Sequence, residues 1–448
     1  MEMDGLTGEL AEFTATAANA PISEDALEAA RRAFIDTIGV MLAGRIEPAV
    51  AQLSALLGPG EEAAAFAGER HLEAGDAALL NGMAGHVLDY DDVAQHGHPS
   101  VVLVPAILAA GQRIEATGRE LLRAYAVGYE AWAELAWREK DAYHLGSWHP
   151  TPALGVVAAT AAVATLYHLD TAQARDALAN AASFAAGVIA NFGTPLKPLQ
   201  AGRAAASALE AVRFAAAGIG GAADALEGEH GLLRGLSARG KVDVLAPTRL
   251  RPGEWRLVDQ GLSVKRYPVC YASHRAIDGV IALAEANDLH PIEVRSIRVR
   301  LGPAPIQTLR YHRPDDGLEA RFSLHHNLAA ALIDRAVGFA QLTDQFVQRP
   351  DVAALYGLTT MILETEECPD QPGMARHDRV VIEKDNGAVL DSGPIRHPRG
   401  HAAHPLTDAE LEAKFRDCAA HGGYGEVEVL LDRLRGLDAL SSARELVW

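Results

Sequence analysis

Residues 152–166 form an apolar stretch without a charged side chain, and this stretch limits the possible folds of the chain more than any other feature. It is too short to cross a bilayer, and His168 and Asp170 follow it, so we expect a buried helix. A helix without a polar face has to be surrounded by other helices. The stretch therefore predicts a layered helical bundle.

Helical patterns continue through the first 240 residues. Ser23 is a suitable N-cap for an amphipathic helix that Gly44 would end. Residues 180–190 are predicted to be as apolar on every face as residues 152–166. The other predicted helices cover residues 101–116, 119–137, 152–167, 171–190 and 201–217, with a short one near Ala222.

After residue 253 the pattern changes to that of a mixed domain. Residues 297–301 alternate between apolar and Arg side chains, and residues 358–365 are rich in β-forming residues. Asn386-Gly387 between 379–384 and 388–392 predicts a hairpin. Helices are expected at 273–287 and 323–337.

A chain of 448 residues is longer than one hydrophobic core usually supports, so two domains are expected. The fold class is mainly α with an α+β second domain. An all-helical bundle domain covers residues 1–254 and 399–448, and a smaller lid domain with an antiparallel sheet covers 255–398. A capping box of Thr407 and Glu410 predicts a last helix, 408–419, that returns to the first domain.

Charge and cysteine content exclude several classes of function. The net charge of −19 opposes nucleic-acid binding, and it makes any basic cluster beside a cleft informative. Cys270, Cys368 and Cys418 are an odd number without CxxC spacing, which argues against a disulfide framework and a zinc ribbon. The N-terminus lacks the pattern of a secretory signal, and no membrane span is found, so we expect a cytoplasmic protein.

Residues 86–100 contain the densest cluster of ionisable groups, which crowds three histidines (His86, His96, His98) and three carboxylates (Asp89, Asp91, Asp92) together. Such crowding shifts pKa values in the way that acid–base sites need. Two alternatives stay open. One is a helix end with exposed acids and a polar loop, and the other is a metal site, although no HxxxH or HExxH spacing is present.

Three other segments suit an anionic ligand. The loop 144–151 brings His149, a candidate acid or base, to the start of a buried helix, where backbone N–H groups favour anions. His149 could equally be a capping or core histidine. The Gly/Pro loop 191–198 presents Lys197, which either reaches solvent or binds a carboxylate. In 265–274 two cations precede Cys270, which taken alone is more often a small buried side chain than a nucleophile.

Taken together these segments resemble the MmgE/PrpD family, which includes 2-methylcitrate dehydratase, cis-aconitate decarboxylase and iminodisuccinate epimerase. The likeness covers nearly the whole chain and follows the family's order. It rests on Asn81-Gly82, H-x-x-D-Y-D-D from His86, His98-Pro99-Ser100, His149-Pro150-Thr151, the Lys197 loop, Leu226-Glu227-Gly228 with Gly231, K-R-Y-P-x-C-x-x-x-H from Lys265, Arg321-Phe322-Ser323 and Lys414-Phe415.

The resemblance implies an enzyme without metal or cofactor, usually a homodimer, that removes a proton α to a carboxylate of a small di- or tricarboxylate. It implies a dehydratase-like lyase, with an iminodisuccinate-type epimerase as the alternative and an inactive carboxylate-binding protein as a third possibility. The implied catalytic residues are Asp89, His98, His149, Lys197 and Lys265, and the implied substrate-binding residues are Thr151, Arg266, Tyr267, Cys270, His274 and His326.

The chain departs from the decarboxylase pattern at three positions. Val93 stands where those members have threonine, and Cys270 where they have histidine. A tyrosine is expected near His326. These departures argue against cis-aconitate decarboxylation. Within the proposed site, Lys197 and Lys265 would clamp carboxylates, His149 and His98 would be base and acid in either order, and Asp89 would orient an imidazole.

Overall fold

A computed structural model of the protein describes residues 5–251, 253–368 and 371–447. The chain divides into two compact units. Unit 1 consists of Met1–Val264 and Thr407–Trp448, and unit 2 of Lys265–Leu406. The domain limits inferred from the sequence stay a prediction, because compactness does not test whether each part folds alone.

Unit 1 is built mainly from helices, as the sequence predicts. Its elements before the chain enters unit 2 are α1 (Leu6–Ala17), α2 (Glu24–Gly44), α3 (Pro48–Leu56), β1 (Ala63–Ala65), β2 (Arg70–Leu72), α4 (Ala74–His86), α5 (Ser100–Ile114), α6 (Gly118–Ala136), α7 (Pro150–Leu166), α8 (Thr171–Phe184), α9 (Leu196–Ala216), α10 (Leu232–Leu236) and α11 (Arg256–Asp259). Short 3-10 helices at Tyr143–Gly146 and Ile189–Asn191 flank α7 and α9.

Helix α7 is the centre of unit 1. All 17 of its residues are buried, and it packs against α5, α6, α8 and α9. The prediction that this apolar stretch is a helix enclosed by other helices is therefore confirmed. Helix α2 also begins and ends as predicted, because the Ser23 side chain accepts a bond from the Ala26 amide and Gly44 is its last residue.

Two glycines bring α4 and α9 into close contact. A Cβ atom on Gly82 would lie 2.6 Å from the Cα of Gly202, so neither position has room for a larger side chain. This approach places the C-terminal end of α4 beside the first turns of α9. Both ends carry residues of the candidate site described below.

The segment between α8 and α9 differs from the prediction. Helix α8 ends at Phe184, and Val188 and Phe192 are about two-fifths exposed, so the expected buried helix through residue 190 is wrong. Gly187 adopts a φ of 110° and its carbonyl accepts a bond from the His149 amide, which turns the chain away from the helix.

Helix α9 begins five residues earlier than predicted, with Pro195 at its N-cap. Prolines are tolerated there because the first amides of a helix have no partner within it. Lys197 therefore lies in the first turn of a helix and not in a loop. The short helix expected near Ala222 is absent from the described chain, which forms turns there.

Unit 2 combines short helices with small sheets, in agreement with the predicted α+β class. Its elements are α12 (His274–Ala286), β3 (Val294–Leu301), α13 (Pro303–Thr308), α14 (Gly317–Ala320), α15 (Leu324–Asp334), α16 (Asp344–Val347), α17 (Pro350–Tyr356), β4 (Thr359–Leu363), β5 (Glu367–Cys368), β6 (Gln371–Ala375), β7 (Arg379–Lys384) and β8 (Val389–Asp391). Three 3-10 helices, Tyr271–Ser273, Pro291–Glu293 and Phe339–Leu342, lie between them.

The main sheet of unit 2 has the strand order β4-β3-β7-β8. Strands β7 and β8 form the predicted hairpin, with Gly387 at a φ of 82° in its turn. Strand β3 alternates buried apolar residues with exposed arginines as expected. The sheet is antiparallel except for the β3–β4 pair, which is parallel because the helices α13 to α17 connect the two strands as a long crossover.

The chain then returns to unit 1 and forms α18 (Asp408–His421) and α19 (Val427–Arg435), followed by 3-10 helices at Leu437–Ala439 and Ala443–Leu446. The capping box of Thr407 and Glu410 is present at the start of α18. This helix packs on α2, as predicted, and the Nζ of Lys414 lies 2.6 Å from a carboxylate oxygen of Asp36. In the described part of the chain, no helix combines the length and apolarity needed to span a membrane.

Candidate active site

The segment 86–100 connects α4 to α5 and lies inside unit 1. Asp91 and Asp92 have no exposed surface, and His98 keeps 15% of its side chain exposed. The alternative of an exposed polar loop is therefore wrong. Two buried carboxylates need partners, because an unpaired charge in the protein interior is strongly unfavourable.

Asp91 contacts two imidazoles at once. Its carboxylate oxygens lie 2.9 and 3.1 Å from the Nδ1 of His86, and one of them lies 3.0 Å from the Nδ1 of His98. Burial by itself would raise the pKa of Asp91, but the two histidines outweigh it and hold the pKa well below its usual range. Asp91 is therefore an ionised carboxylate that accepts a hydrogen bond from the Nδ1 of His86 and lies close to the Nδ1 of His98.

His149 has a different partner. It is the N-cap residue of α7, is 2% exposed, and its Nδ1 lies 2.8 Å from the side-chain oxygen of Gln200 in α9. The amide nitrogen of Gln200 donates to the Val188 carbonyl, which fixes the orientation of the amide group. An amide oxygen only accepts, so His149 carries its proton on Nδ1 and keeps the lone pair on Nε2.

His86 lies between the other two imidazoles. Its ring is 4.8 Å from that of His98 and stacks on that of His149 at 5.7 Å with an angle of 18°. Burial lowers the pKa of His86 to about 4, although Asp91 opposes this shift. Burial, His86 and the nearby Lys197 lower the pKa of His149 to about 2. Both rings are therefore neutral near pH 7.

Lys197 lies at the more accessible side of the cluster. Its ammonium group is 2.6 Å from a carboxylate oxygen of Asp89 and 5.4 Å from the centre of the Phe192 ring. About a fifth of each side chain in the ion pair is exposed. A partly exposed ion pair is weak enough to be rearranged, so Lys197 can bind the carboxylate of a ligand.

Thr151 joins the two histidine segments. Its hydroxyl oxygen accepts a bond of 3.3 Å from the His98 amide, and it lies in the first turn of α7, two residues after His149. Thr151 is fully buried. The structure thus brings together five residues singled out in the sequence, which are Asp89, His98, His149, Thr151 and Lys197.

A second buried network lies behind Asp91. Asp92 accepts a short bond from the Ser100 hydroxyl, which is also 2.5 Å from the hydroxyl of Tyr125. Burial and the neighbouring Asp36 raise the pKa of Asp92 to about 8. Lys414 pairs with Asp36 and donates to the Tyr90 carbonyl at 2.9 Å. These contacts fix the 86–100 segment at Tyr90, Asp92 and Ser100.

His86, Asp91 and His98 are also the residues that could hold a metal ion in the described chain, because their ligand atoms lie within 4.8 Å of one another. Two imidazoles and a carboxylate are a donor set that suits transition metals. The same nitrogens bind the Asp91 carboxylate in the structure, and a metal ion would have to replace the ring protons of both histidines. The alternative of a metal site therefore stays open, with His86, Asp91 and His98 as its candidate ligands.

The remaining residues from the sequence belong to unit 2. Lys265 is the first residue of unit 2 and is 1% exposed. The guanidinium group of Arg266 lies 3.7 Å from the Asp278 carboxylate, and the Tyr267 hydroxyl donates to the same carboxylate at 2.6 Å. Cys270 is half-buried and His274 is fully buried. His326 is also fully buried, with one ring nitrogen 3.0 Å from the Tyr356 hydroxyl and the other 2.8 Å from the Gln341 carbonyl, so both its nitrogens have partners inside unit 2.

Sequence reasoning gave too little weight to three residues. It placed Asp91 and His86 in the ionisable cluster without a catalytic role for either, and it did not single out Gln200. A carboxylate five residues after a helix-ending histidine was a weak signal for the His86–Asp91 pair. Nothing in the sequence pointed to Gln200, because its contact with His149 joins two different helices.

Val93 is held by its backbone. Its amide and carbonyl form two bonds of 2.9 Å with Ser263, and its side chain is half-buried. A valine at this position has no hydroxyl group to offer a ligand.

Comparison with known families and proteins agrees with these observations. The MmgE/PrpD N-terminal domain matches residues 8–245, and the MmgE/PrpD C-terminal domain matches residues 267–432. Human cis-aconitate decarboxylase is 27% identical over 384 residues, which are 83% of this chain and 78% of that protein. The Mus musculus enzyme is 28% identical over 356 residues, covering 76% and 70%. The Aspergillus terreus cis-aconitate decarboxylase is 23% identical over 476 aligned positions, covering 99% and 95%.

Proposed function

Because the chain belongs to the MmgE/PrpD family, we propose that it removes a proton α to a carboxylate of a small di- or tricarboxylate and acts as a dehydratase-like lyase. The relatives named above are lyases by their names, which supports a lyase. The observation that carries the proposal is the neutral His149, whose Nε2 lone pair is set by Gln200 beside the ammonium group of Lys197.

His149 is the proposed base. A base works best when its pKa lies near the working pH, and a pKa of about 2 would make His149 too weak. A bound substrate changes this, because its carboxylates bring negative charge toward Lys197 and His149. A carboxylate bound next to the His149 ring favours its protonated form and so raises its pKa toward neutrality. In this proposal, binding of the substrate therefore makes His149 an effective base.

Lys197 is the proposed partner of the carboxylate next to the acidic carbon. As the proton leaves, negative charge spreads onto that carboxylate, and a fixed ammonium group stabilises it. Asp89 holds the Lys197 ammonium group in position. Lys265 and Arg266 are proposed to hold the other carboxylate, a role that rests on the family resemblance.

His98 is the proposed acid. Asp91 orients its ring and can stabilise a positive charge on it. In a dehydration, His149 takes the α-proton, the electron pair forms the carbon–carbon double bond, and the hydroxyl group leaves as water with a proton from His98. The same residues serve an epimerase if His98 returns a proton to the opposite face, and we keep this as the second candidate.

Decarboxylation has less support from this chain. Val93 and Cys270 replace the threonine and histidine of decarboxylase-type members, and Val93 offers a ligand no hydroxyl group. A cytoplasmic location, a homodimer and independence from metal belong to the same proposal and rest on the cysteine pattern and the family resemblance.

A panel of small di- and tricarboxylates in D2O, followed by proton NMR, tests the proposal. Formation or loss of an olefinic proton indicates the dehydratase, and α-deuterium uptake on an unchanged skeleton indicates the epimerase. Release of labelled carbon dioxide would identify a decarboxylase and overturn the proposed reaction. If no compound exchanges its α-proton, the mechanism itself is wrong.

Metal content is measured on the same preparation. Full activity in a preparation free of Zn, Mn and Fe would remove the metal alternative. Activity that follows the metal content would instead favour the His86, Asp91 and His98 group as a ligand set.

A further inference from the structure

Unit 2 contains a cavity of about 220 Å³ that none of the proposed substrate-binding residues lines. Three parts of the chain form its walls, namely the start of α12 with the residues just before it, strands β5 and β6 with the residues after β6, and the loop 395–401. The volume lies below the range of about 300 to 1,000 Å³ that is typical of sites for drug-sized ligands. Only a small molecule or ion fits.

The walls carry more positive than negative charge. Arg275, Arg376 and Arg396 line the cavity, and among the described residues of its lining Asp378 is the one carboxylate. Burial raises the pKa of Asp378 to about 7, although Arg275 opposes this, so Asp378 is only partly ionised near neutral pH. In a chain with a net charge of −19, such a local excess of guanidinium groups is unusual.

Arg275 keeps donors for a ligand. Its Nη1 donates to the Ala375 carbonyl at 2.9 Å and lies 3.4 Å from Asp378. Both contacts use the same nitrogen, and a guanidinium group has five N–H donors in a planar fork that matches an oxyanion. Arg376 contacts Glu366 at 3.3 Å in an exposed ion pair, which a ligand can replace.

Two stacked histidines complete the wall. The rings of His397 and His401 lie 4.1 Å apart at an angle of 29°. The Nδ1 of His401 accepts a bond of 3.0 Å from the Ala403 amide, so the neutral ring carries its proton on Nε2 and can donate it. Burial is the main cause that lowers the pKa of His401 to about 4, and the neighbouring His397, Arg275 and Arg396 lower it further.

We propose that this cavity is a binding site for a small doubly charged oxyanion, held by Arg275, Arg396 and the Nε2–H of His401. Inorganic phosphate and a short dicarboxylate are both ions of this kind. They differ in their relation to the proposed substrate. A phosphate site would make unit 2 responsive to a ligand unrelated to the substrate. A dicarboxylate site would bind a molecule of the proposed substrate class in unit 2 itself.

Cys368 lines the same cavity and gives a local signal. The full-length protein is treated with N-ethylmaleimide at increasing phosphate or succinate, with chloride keeping the ionic strength constant, and Cys368 labelling is followed by peptide mass spectrometry. The bound anion is expected to slow the labelling of Cys368 in a saturable way. Buried Cys418 is the internal reference.

Arg396→Gln is expected to raise the half-saturating anion concentration at least about tenfold, because it removes a charged donor. Arg396 is exposed, so its loss leaves the core intact. Arg349→Gln removes an equally charged side chain of unit 2 that pairs with Asp351 outside the cavity, and it should change nothing. Protection by only one anion identifies the source of the ligand. Labelling that neither anion changes, or protection that Arg396→Gln leaves intact, would overturn the proposal.

Discussion

Unit 1 contains two segments of nearly the same sequence, His98-Pro99-Ser100 and His149-Pro150-Thr151, each at the start of a buried helix. The Nδ1 of His98 faces the carboxylate of Asp91, whereas the Nδ1 of His149 donates to the neutral amide of Gln200. A carboxylate stabilises a charged ring, and an amide oxygen orients a neutral one. Two similar segments thus obtain opposite roles from their partners.

This difference has a direct consequence for mechanism. The order of acid and base could not be decided from the two histidines themselves. With their partners known, His149 is the base and His98 the acid in our proposal. The following experiments change one partner or one ring at a time.

The largest effect is expected from the removal of the proposed base. His149→Gln should lower kcat by about 10³-fold to 10⁴-fold, at the upper end of what general base catalysis contributes, because it removes the ring that we propose takes the α-proton. The rate of α-proton exchange in D2O measures this. His230→Gln, an exposed histidine of the same unit, is the control and should keep full activity. Exchange at the wild-type rate in His149→Gln would rule out this base.

A smaller loss is expected when the partner of His98 changes. Asp91→Asn leaves a group of the same size without the charge, and kcat should fall about 10²-fold with a smaller change in KM. Asp91→Glu, which restores the charge, should recover part of the rate. Since Asp91 is buried, thermal unfolding must show that both variants are folded. An unchanged kcat in folded Asp91→Asn would remove Asp91 from the mechanism.

Exchanging the type of partner tests the comparison most directly. Gln200→Glu gives His149 a carboxylate like the one that His98 has, and this should raise the pKa of His149 by about 1 to 3 units. A base must be neutral, so activity disappears as pH falls below its pKa, and the acid limb of kcat, which reports the substrate-bound enzyme, should move to higher pH. Gln200→Met removes the amide without adding charge and should not produce that shift. Identical profiles for Gln200→Glu and the wild type would mean that another group is the base.

The smallest effect on activity is expected for the buried network behind the segment, where the change concerns stability. The pKa of Asp92 is raised to about 8 in the folded protein, so between pH 4 and 8 the folded state holds a proton that the unfolded state has released. Stability is therefore lost as pH rises through this window. Asp92→Asn should gain stability relative to the wild type as pH rises, by up to about 1.4 kcal/mol per pH unit.

Urea unfolding at pH 5, 6, 7 and 8 measures this difference. Asp259→Asn, at an exposed carboxylate, is the control. Comparing each variant with the wild type at the same pH cancels the opposite contribution of His86, whose lowered pKa makes stability rise between about pH 4 and 6.5. A difference independent of pH would show that Asp92 is ionised in the folded protein.

The sequence predicted much of the fold because local chemistry repeats along the chain. Apolar periodicity located α2, α5, α6 and α7, and the Asn386-Gly387 turn located the β7–β8 hairpin. The prediction from apolar periodicity failed between residues 185 and 200, where the chain is apolar but forms an exposed segment. Positive φ at Gly187 and the N-cap at Pro195 decide the structure there, and composition does not record either feature.

The sequence by itself determined which residue types the candidate site contains, and it grouped Asp89, His98, His149 and Lys197 as one site before any distance was known. Only the tertiary structure decided which side chain meets which. Gly82 and Gly202 let α4 and α9 approach, and this contact brings Gln200 to His149 and Lys197 to Asp89. Protonation depends on the nearest charge and on burial, and both depend on residues far apart in the chain. The sequence therefore names candidate acid–base groups, while the packing of helices decides which partner each group has, and the roles we propose follow from those partners.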